Sequence, residues 1–553
     1  MTGPRISRRA FLPASAAILG APALAVPASL GDTPAASLIL QPGIHRVTSN
    51  MTIKGDLQVQ PGATIDIASG RTLTLLGGLL APIASIFTGG GTVDLNRSRI
   101  ACAHPEWWGA VPGDAASDSL PALRACLRAH PALRLLAADY YISDTFVVDR
   151  PFCCIEGSGF RGTGPRQGTR IIVTSGTADV MRAGPAAAPA MVNDFCQNVS
   201  IRSIALNRSL PVDVAGARLP AGLRAQFLLF ADFQQVSAFE HGVGFAICGL
   251  VRSTLNDCVA FRSLPGRQTM QRYHGFLLDG SRDIGLAGGN ASLFMRNCNA
   301  TIGGTPAVAD AIGLLLEGAF ADTFVTDFET AGVATGIRID GQSAAIGARA
   351  RHGHINLHIH MPIIDQCGQV GIDVLDVAPQ GLIDISDPYV AVAPGAEAAL
   401  RFRQMRGAAS VTGGQLAGTM NTNARGQAIG VAAIASRGLQ VSGLKILEHA
   451  RPGAFAQCSG FRLELTIGNP DSRVGGSGVM LRDCDHGTVK ISLSGQENAF
   501  ASGIALVGSA KGLHINTIGI DAATIGGSAN RVTLGGRSLP VPSRTTDLIV
   551  EGL

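Results

Sequence analysis

One recurring pattern limits the folds open to this chain more than any other feature. An apolar residue is followed eight positions later by a glycine that opens a run of Gly-apolar-x-apolar. It reads Val236…Gly244-Phe245-Ala246-Ile247, Phe328…Gly336-Ile337-Arg338-Ile339 and Ile363…Gly371-Ile372-Asp373-Val374. Short alternating runs and polar turns fill the intervals, which are irregular, roughly 22–40 residues. An imperfect period of that size, with one supersecondary unit per repeat, signals a solenoid. The units alternate with period two and carry no helical pattern, so each is a coil of short strands. The predicted fold is all-β: a single-stranded right-handed parallel β-helix. Each coil adds one rung to each of three parallel sheets, with rungs about 4.8 Å apart and apolar side chains stacked inside.

Composition agrees with strands and turns. The chain has 553 residues, 70 of them Gly, with aromatics at 5% and charged residues at 15%. Lys occurs only at positions 54, 445, 490 and 511, which is unlike a helix-rich surface. The formal charge is +4, and the first 25 residues hold three Arg and no acid, leaving +1 (4 minus 3) without them. That excludes an electrostatic footprint for nucleic acid or an anionic membrane. Eleven Cys are scattered without CxxC or zinc spacing. Cys258, Cys298 and Cys367 fall at apolar positions of strand-like runs and read as small buried hydrophobes, with a few disulfides open to an exported chain.

The opening MTGPRISRRAFLPASAAILGAPALAVPA has a basic start, a small-residue apolar stretch and an Ala23-Leu24-Ala25 cleavage pattern. Ser7-Arg8-Arg9-Ala10-Phe11-Leu12 resembles the twin-arginine export motif. Residues 1–25 therefore read as a signal peptide, and the mature protein is expected to be periplasmic or secreted. No other apolar run is long enough to span a bilayer, so no membrane insertion is expected after cleavage.

Residues 38–100 hold short alternating runs broken by Pro-Gly and Gly-Gly turns. Then comes HPEWWGAVPGDAASDSLPALRACLRAH, residues 104–130, with both tryptophans of the chain side by side. Asp118 is placed to cap a helix over 119–129, with Leu120, Leu123 and Leu127 on one face and Pro121 in its first turn. The order of a β-rich segment, Glu106-Trp107-Trp108-Gly109-Ala110, Gly113-Asp114, Asp118 and a helix resembles the pectate-lyase-like superfamily, especially its phage tailspike and exopolysaccharide branches. The resemblance covers residues 38–190 by motif and 195–520 by coil pattern. It implies that the helix caps the first coil, that the tryptophans pin it there, and that the motif is structural. The implied organisation is 26–103 as a β-rich N-terminal segment, 104–130 as the motif and capping helix, 131–525 as the β-helix and 526–553 as a C-terminal tail.

Catalysts of this superfamily work on the outer face of a sheet with carboxylates, Arg or Lys, His and sometimes Ca²⁺. The polygalacturonase set is missing: there is no Asp-Asp pair, and Glu240-His241-Gly242 is a poor match to Gly-His-Gly. No lyase signature is present either. Three constellations remain. In 320–341, with Phe324, Thr326 and Phe328 inward, Asp327 and Glu329 share the outward face of one strand. They then stand about 6.5–7 Å apart, against about 5.5 Å for a retaining and 6.5–9.5 Å for an inverting glycosidase pair. Counting from the glycine aligns Asp327 with Gln235 and, more loosely, with Asp257 and Asn297, a polar column that binds substrate or is simply a hydrogen-bonded ladder.

In 351–365, Ile355, Leu357 and Ile359 point inward, so His354, Asn356, His358 and His360 point outward, one rung beyond Asp327. His358 and His360 are candidate acids or bases beside it, or plain polar residues of a strand face. In Gln271-Arg272-Tyr273-His274, the Arg, Tyr and His suit sugar stacking and carboxylate binding. Arg338 is a further substrate-binding candidate, and Asp340, Asp283 and Asp322 are weaker ones. His-x-His at 358–360 puts two imidazoles on one side of a strand and leaves a transition-metal site as a further reading of that pair; no cofactor motif stands out, and Ca²⁺ is the one cofactor that the resemblance leaves open. The expected partner is a polysaccharide. The first reading is a hydrolase or lyase acting on it through outward carboxylates. The alternatives are a non-catalytic accessory protein of exopolysaccharide assembly and a tailspike-like binding protein. A monomer and a homotrimer both fit.

Overall fold

A computed structural model describes residues 37–160, 168–210, 212, 218–263, 272–280, 290–303, 310–318, 320–341, 355–418, 428–449, 451–468, 477–494, 502–508 and 513–518, and the short strands Ile525–Gly527, Val532–Leu534 and Arg537–Leu539. The signal-peptide reading of 1–25, Gln271, Asp283, His354 and most of the 526–553 tail lie outside the described residues.

The chain divides into two units, Met1–Ile100 and Ala101–Leu553. The first is a small β-helix of its own. Nine strands form three parallel three-stranded sheets, each drawing one strand from every coil. In its Leu57–Val59 and Ala63–Ile67 strands, alternate residues are buried and half-exposed, so Val59, Ala63, Ile65 and Ile67 point inward.

The second unit begins with the cap. Pro105–Trp108 form a 3₁₀ turn that ends at Gly109, whose φ of 89° is the left-handed value that glycine adopts without strain. Trp107 is buried. Glu106, also buried, accepts the hydroxyl proton of Tyr140. The helix Leu120–Ala129 packs on this turn and on the first-rung strands Ala132–Arg134 and Phe146–Val148 through Leu120, Leu123 and Leu127. Asp118 caps it, accepting from Leu120 N at 3.0 Å while holding Ser143 with its other oxygen at 2.7 Å.

Beyond the cap the strands pair in parallel from coil to coil, in most coils with the strand three places on and, where one long strand serves two sheets, with the strand two places on. One coil shows the pattern. Arg272–Gly280 lies in the first sheet, Asn290–Arg296 in the second and Asn299–Gly303 in the third; their partners one coil on are Asp310–Gly318, Phe320–Thr326 and Glu329–Ala331.

The glycines that mark the repeat have a packing cause. Gly244, Gly275, Gly313, Gly336 and Gly371 occupy one column of the first sheet. A Cβ on Gly244, Gly275, Gly313 or Gly336 would lie 2.5–2.6 Å from the carbonyl oxygen of the next glycine in the column. Phe245 and Phe276, each one residue after its glycine, stack inside at 4.6 Å.

The corner between the second and third sheets is a single left-handed residue on each coil. Ser203, Gln235, Asp257, Asn297, Asp327, Met361 and Asp387 share φ values of 48–54°. Registers on either side place them in one column. This corrects the strand reading of 320–331. Strict alternation stops at the corner, so Asp327 and Glu329 do not stand on one strand. Phe324 points outward, half-buried, and Val325 takes the interior place.

Candidate active site

The residues singled out in the sequence fall on different faces. Asp257, Asn297 and Asp327 line the corner column, and Asn297 Nδ2 donates to Asp257 Oδ1 at 2.6 Å. Asp327 N donates to His360 O at 3.0 Å. Glu329 begins the next strand, in the third sheet. His358 and His360 face outward on the second sheet, one rung beyond Phe324 and Thr326. His358 stacks on Phe324 at 5.0 Å, which stacks on Phe294 at 5.2 Å, and its Nδ1 lies 3.5 Å from Asp384. His360 Nδ1 pairs with Ser386 Oγ at 2.8 Å. Asp322 belongs to another left-handed corner column, accepting from Asn356 Nδ2 at 2.8 Å.

Arg272, His274, Arg338 and Asp340 all lie on the first sheet, and there a site assembles. A cleft of about 430 Å³ opens on its outer face, lined by Arg182, Arg224, Arg272, His274, Asp279 and Glu317 among others. Asp279, Glu317 and Asp340 sit in register on three successive rungs. The residue before each, Leu278, Leu316 and Ile339, is fully buried, so alternation turns the three carboxyls to the outer face. With rungs about 4.8 Å apart, neighbouring backbones are close to the spacing of a retaining glycosidase pair, and the outer two are about 10 Å apart.

Glu317 sits in the middle. Burial raises its pKa, and the charges of Asp279 and Asp340 raise it further against the pull of Arg338 and Arg272. It is thus the carboxyl of the set biased toward the protonated form. Arg338 Nη2 lies 3.6 Å from Asp340, and Arg272 Nε lies 3.4 Å from Asp310. His274 is 6% exposed, and burial, with Arg272 and Arg338 adding to it against Asp310, lowers its pKa to about 4. It is a neutral imidazole at pH 7 and no proton donor there. Tyr273 is 1% exposed and points into the core, which corrects the expectation that it stacks on a sugar.

Two nearby features are closed and structural. Asp373, farther along the same sheet, accepts from Arg401 Nε and Nη2 at 2.9 Å and from Arg403 Nη2 at 2.7 Å. Burial opposes its ionisation, but the two arginines outweigh that and hold it below the usual carboxylate range. His241, of the Glu240-His241-Gly242 triplet, is buried against Leu206 O at 2.9 Å, and burial lowers its pKa to about 3. Among the described residues no group of three or more His, Cys, Asp or Glu is arranged to hold a metal ion.

Glu317 escaped the sequence reading, yet a signal for it exists. Aligned on their glycines, Gly275, Gly313 and Gly336 each carry an acid four positions on: Asp279, Glu317 and Asp340. Gly244 and Gly371 carry Cys248 and Leu375 there, so the acids are confined to three adjacent coils.

No protein-family model matches the chain, and no curated protein matches it in sequence. Its architecture is similar to the tailspike protein of Escherichia coli bacteriophage HK620 solved with a hexasaccharide, at TM-score 0.52 and 12% identity over 76% of this chain and 77% of that one. It is also similar to the N-terminal fragment of bacteriophage phi29 gene product 12, at TM-score 0.53 and 12% identity over 79% and 73%. At this identity the likeness establishes the fold, a parallel β-helix built as in tailspikes.

Proposed function

We propose that this parallel β-helix binds a polysaccharide across the outer face of its first sheet and cleaves it by hydrolysis. The observation that carries the reading is the stack of Asp279, Glu317 and Asp340 on successive rungs beside a cleft. Glycoside hydrolysis needs one carboxyl that is protonated and one that is ionised, held a short distance apart. Glu317 fills the first role, protonating the glycosidic oxygen as the bond breaks. Asp279, which shares the cleft with it, fills the second, as nucleophile or as base toward water. Asp340 and Arg338 set the charge around Glu317. Export to the periplasm or beyond, as the amino-terminal sequence suggests, would bring the site to such polymers. The tailspike that the fold is similar to was solved with a hexasaccharide, which fits this ligand class.

The test is the full chain against a panel of bacterial and plant polysaccharides, reading reducing ends and the ultraviolet absorbance of unsaturated uronates together. Reducing ends without the absorbance, lost in Glu317→Gln, are expected. Absorbance rising with the reducing ends would replace hydrolysis by elimination. Turnover that survives Glu317→Gln would remove the site.

A further inference from the structure

The cleft is electrically uneven along the solenoid. Asp279 and Glu317 lie toward one end together with Arg272, which faces Asp310 at 3.4 Å, and Arg182, Arg218 and Arg224 lie toward the other. Arg182 and Arg224 stand in register on adjacent rungs, two like charges about 4.8 Å apart at the backbone. Asp179, 5% exposed, is committed to Arg224 and Arg218: it accepts from Arg224 Nε at 2.8 Å and Nη2 at 3.2 Å, from Arg218, and from Ala221 N at 2.7 Å. Arg182 has no such acid among the described residues. Its Nε is buried without any hydrogen-bond acceptor there. A buried donor left unmet, beside a second guanidinium whose own carboxylate is already engaged, is a cost that an anionic ligand removes.

Building on the polysaccharide reading, we infer that Arg182, with the positive charge of Arg224 and Arg218 beside it, forms a subsite for the carboxylate of an acidic sugar, held at a set distance from the bond that is cut. The planar fork of a guanidinium matches a carboxylate in two parallel hydrogen bonds. Arg182 lies three rungs from Asp279, about 14 Å along the solenoid at ~4.8 Å per rung, and two residues aside along the strand. A short stretch of polymer spans that distance.

The experiment measures binding by calorimetry with the full chain carrying Glu317→Gln, which slows turnover. The probes are polygalacturonate, alginate and hyaluronan, each paired with its carboxyl-reduced, neutral form, and dextran sulfate as an anion of different shape. At least one carboxylated polymer is expected to bind, about ten- to a hundredfold more tightly than its reduced form. Adding Arg182→Gln is expected to remove that preference and to leave the reduced form's affinity where it was. Equal binding of both forms, or an Arg182→Gln effect of the same size on each, overturns the subsite while leaving hydrolysis to the reducing-end assay on the wild type. Dextran sulfate bound as tightly as the best carboxylated polymer overturns it in favour of unselective charge attraction. No binding of any polymer, together with no product from the wild type, ends the polysaccharide reading and the subsite with it.

Discussion

Asp327 and Glu317 are both carboxyls that repeat along one solenoid, but they occupy different kinds of position. Asp327 turns a corner. Its column holds a left-handed backbone, which Asn and Asp tolerate better than most side chains, and neighbours in it bond sideways, as Asn297 does to Asp257. Glu317 stands on a sheet face in a cleft, between two like charges and partly desolvated. The first arrangement completes the hydrogen bonding of a turn. The second perturbs proton affinity, as acid–base catalysis requires. A column of polar residues along a β-helix is thus evidence of chemistry only when it lies on a face.

The largest effect expected from this contrast is on turnover. Glu317→Gln should lower kcat about 10²–10⁴-fold, the usual contribution of a general acid. Asp327→Asn with Glu329→Gln should leave it close to wild type. The reverse result in the same assay would move the site to the corner. A second test bears on the pH profile. Glu317 acts protonated, so activity is present below its raised pKa and lost as pH rises through it. Asp340→Asn removes a like charge, lowers that pKa and should move the alkaline limb toward lower pH. A limb that stays in place would detach Glu317 from the chemistry.

Stability separates face from corner again. Gly313→Ala places a Cβ 2.6 Å from Gly336 O and 2.4 Å from Thr330 Oγ1. It should cost about 1–3 kcal/mol in denaturant unfolding, as overpacking does. At the corner the sign reverses. Met361 holds a φ of 48° and is 41% exposed. Left-handed backbone costs a non-glycine residue about 1–2 kcal/mol, and glycine returns part of that through its freer unfolded state, so Met361→Gly should gain about 0.5–1 kcal/mol. A loss at Met361, or no cost at Gly313, would mean that the two columns do not differ as described.

Much of this was legible in the chain. The glycine that opens each unit, the period-two alternation after it and the capped helix with Leu120, Leu123 and Leu127 on one face report local requirements: a column with no room for Cβ, an interior on one side of a strand, an orphan N–H at a helix start. Local requirements leave their mark on neighbouring residues, so a solenoid capped by that helix could be read from sequence, and Arg272, His274, Arg338 and Asp340 could be marked one by one. Which side chains meet was decided elsewhere. A single left-handed residue at 327 ends the alternation before it reaches Glu329, and no apolar pattern announces it. Asp279, Glu317 and Asp340 are dozens of positions apart in the chain and one rung apart in space. The perturbed proton affinity of Glu317 and the unmet guanidinium of Arg182 are properties of stacked coils, because burial and neighbouring charge exist only once each rung is laid on the last.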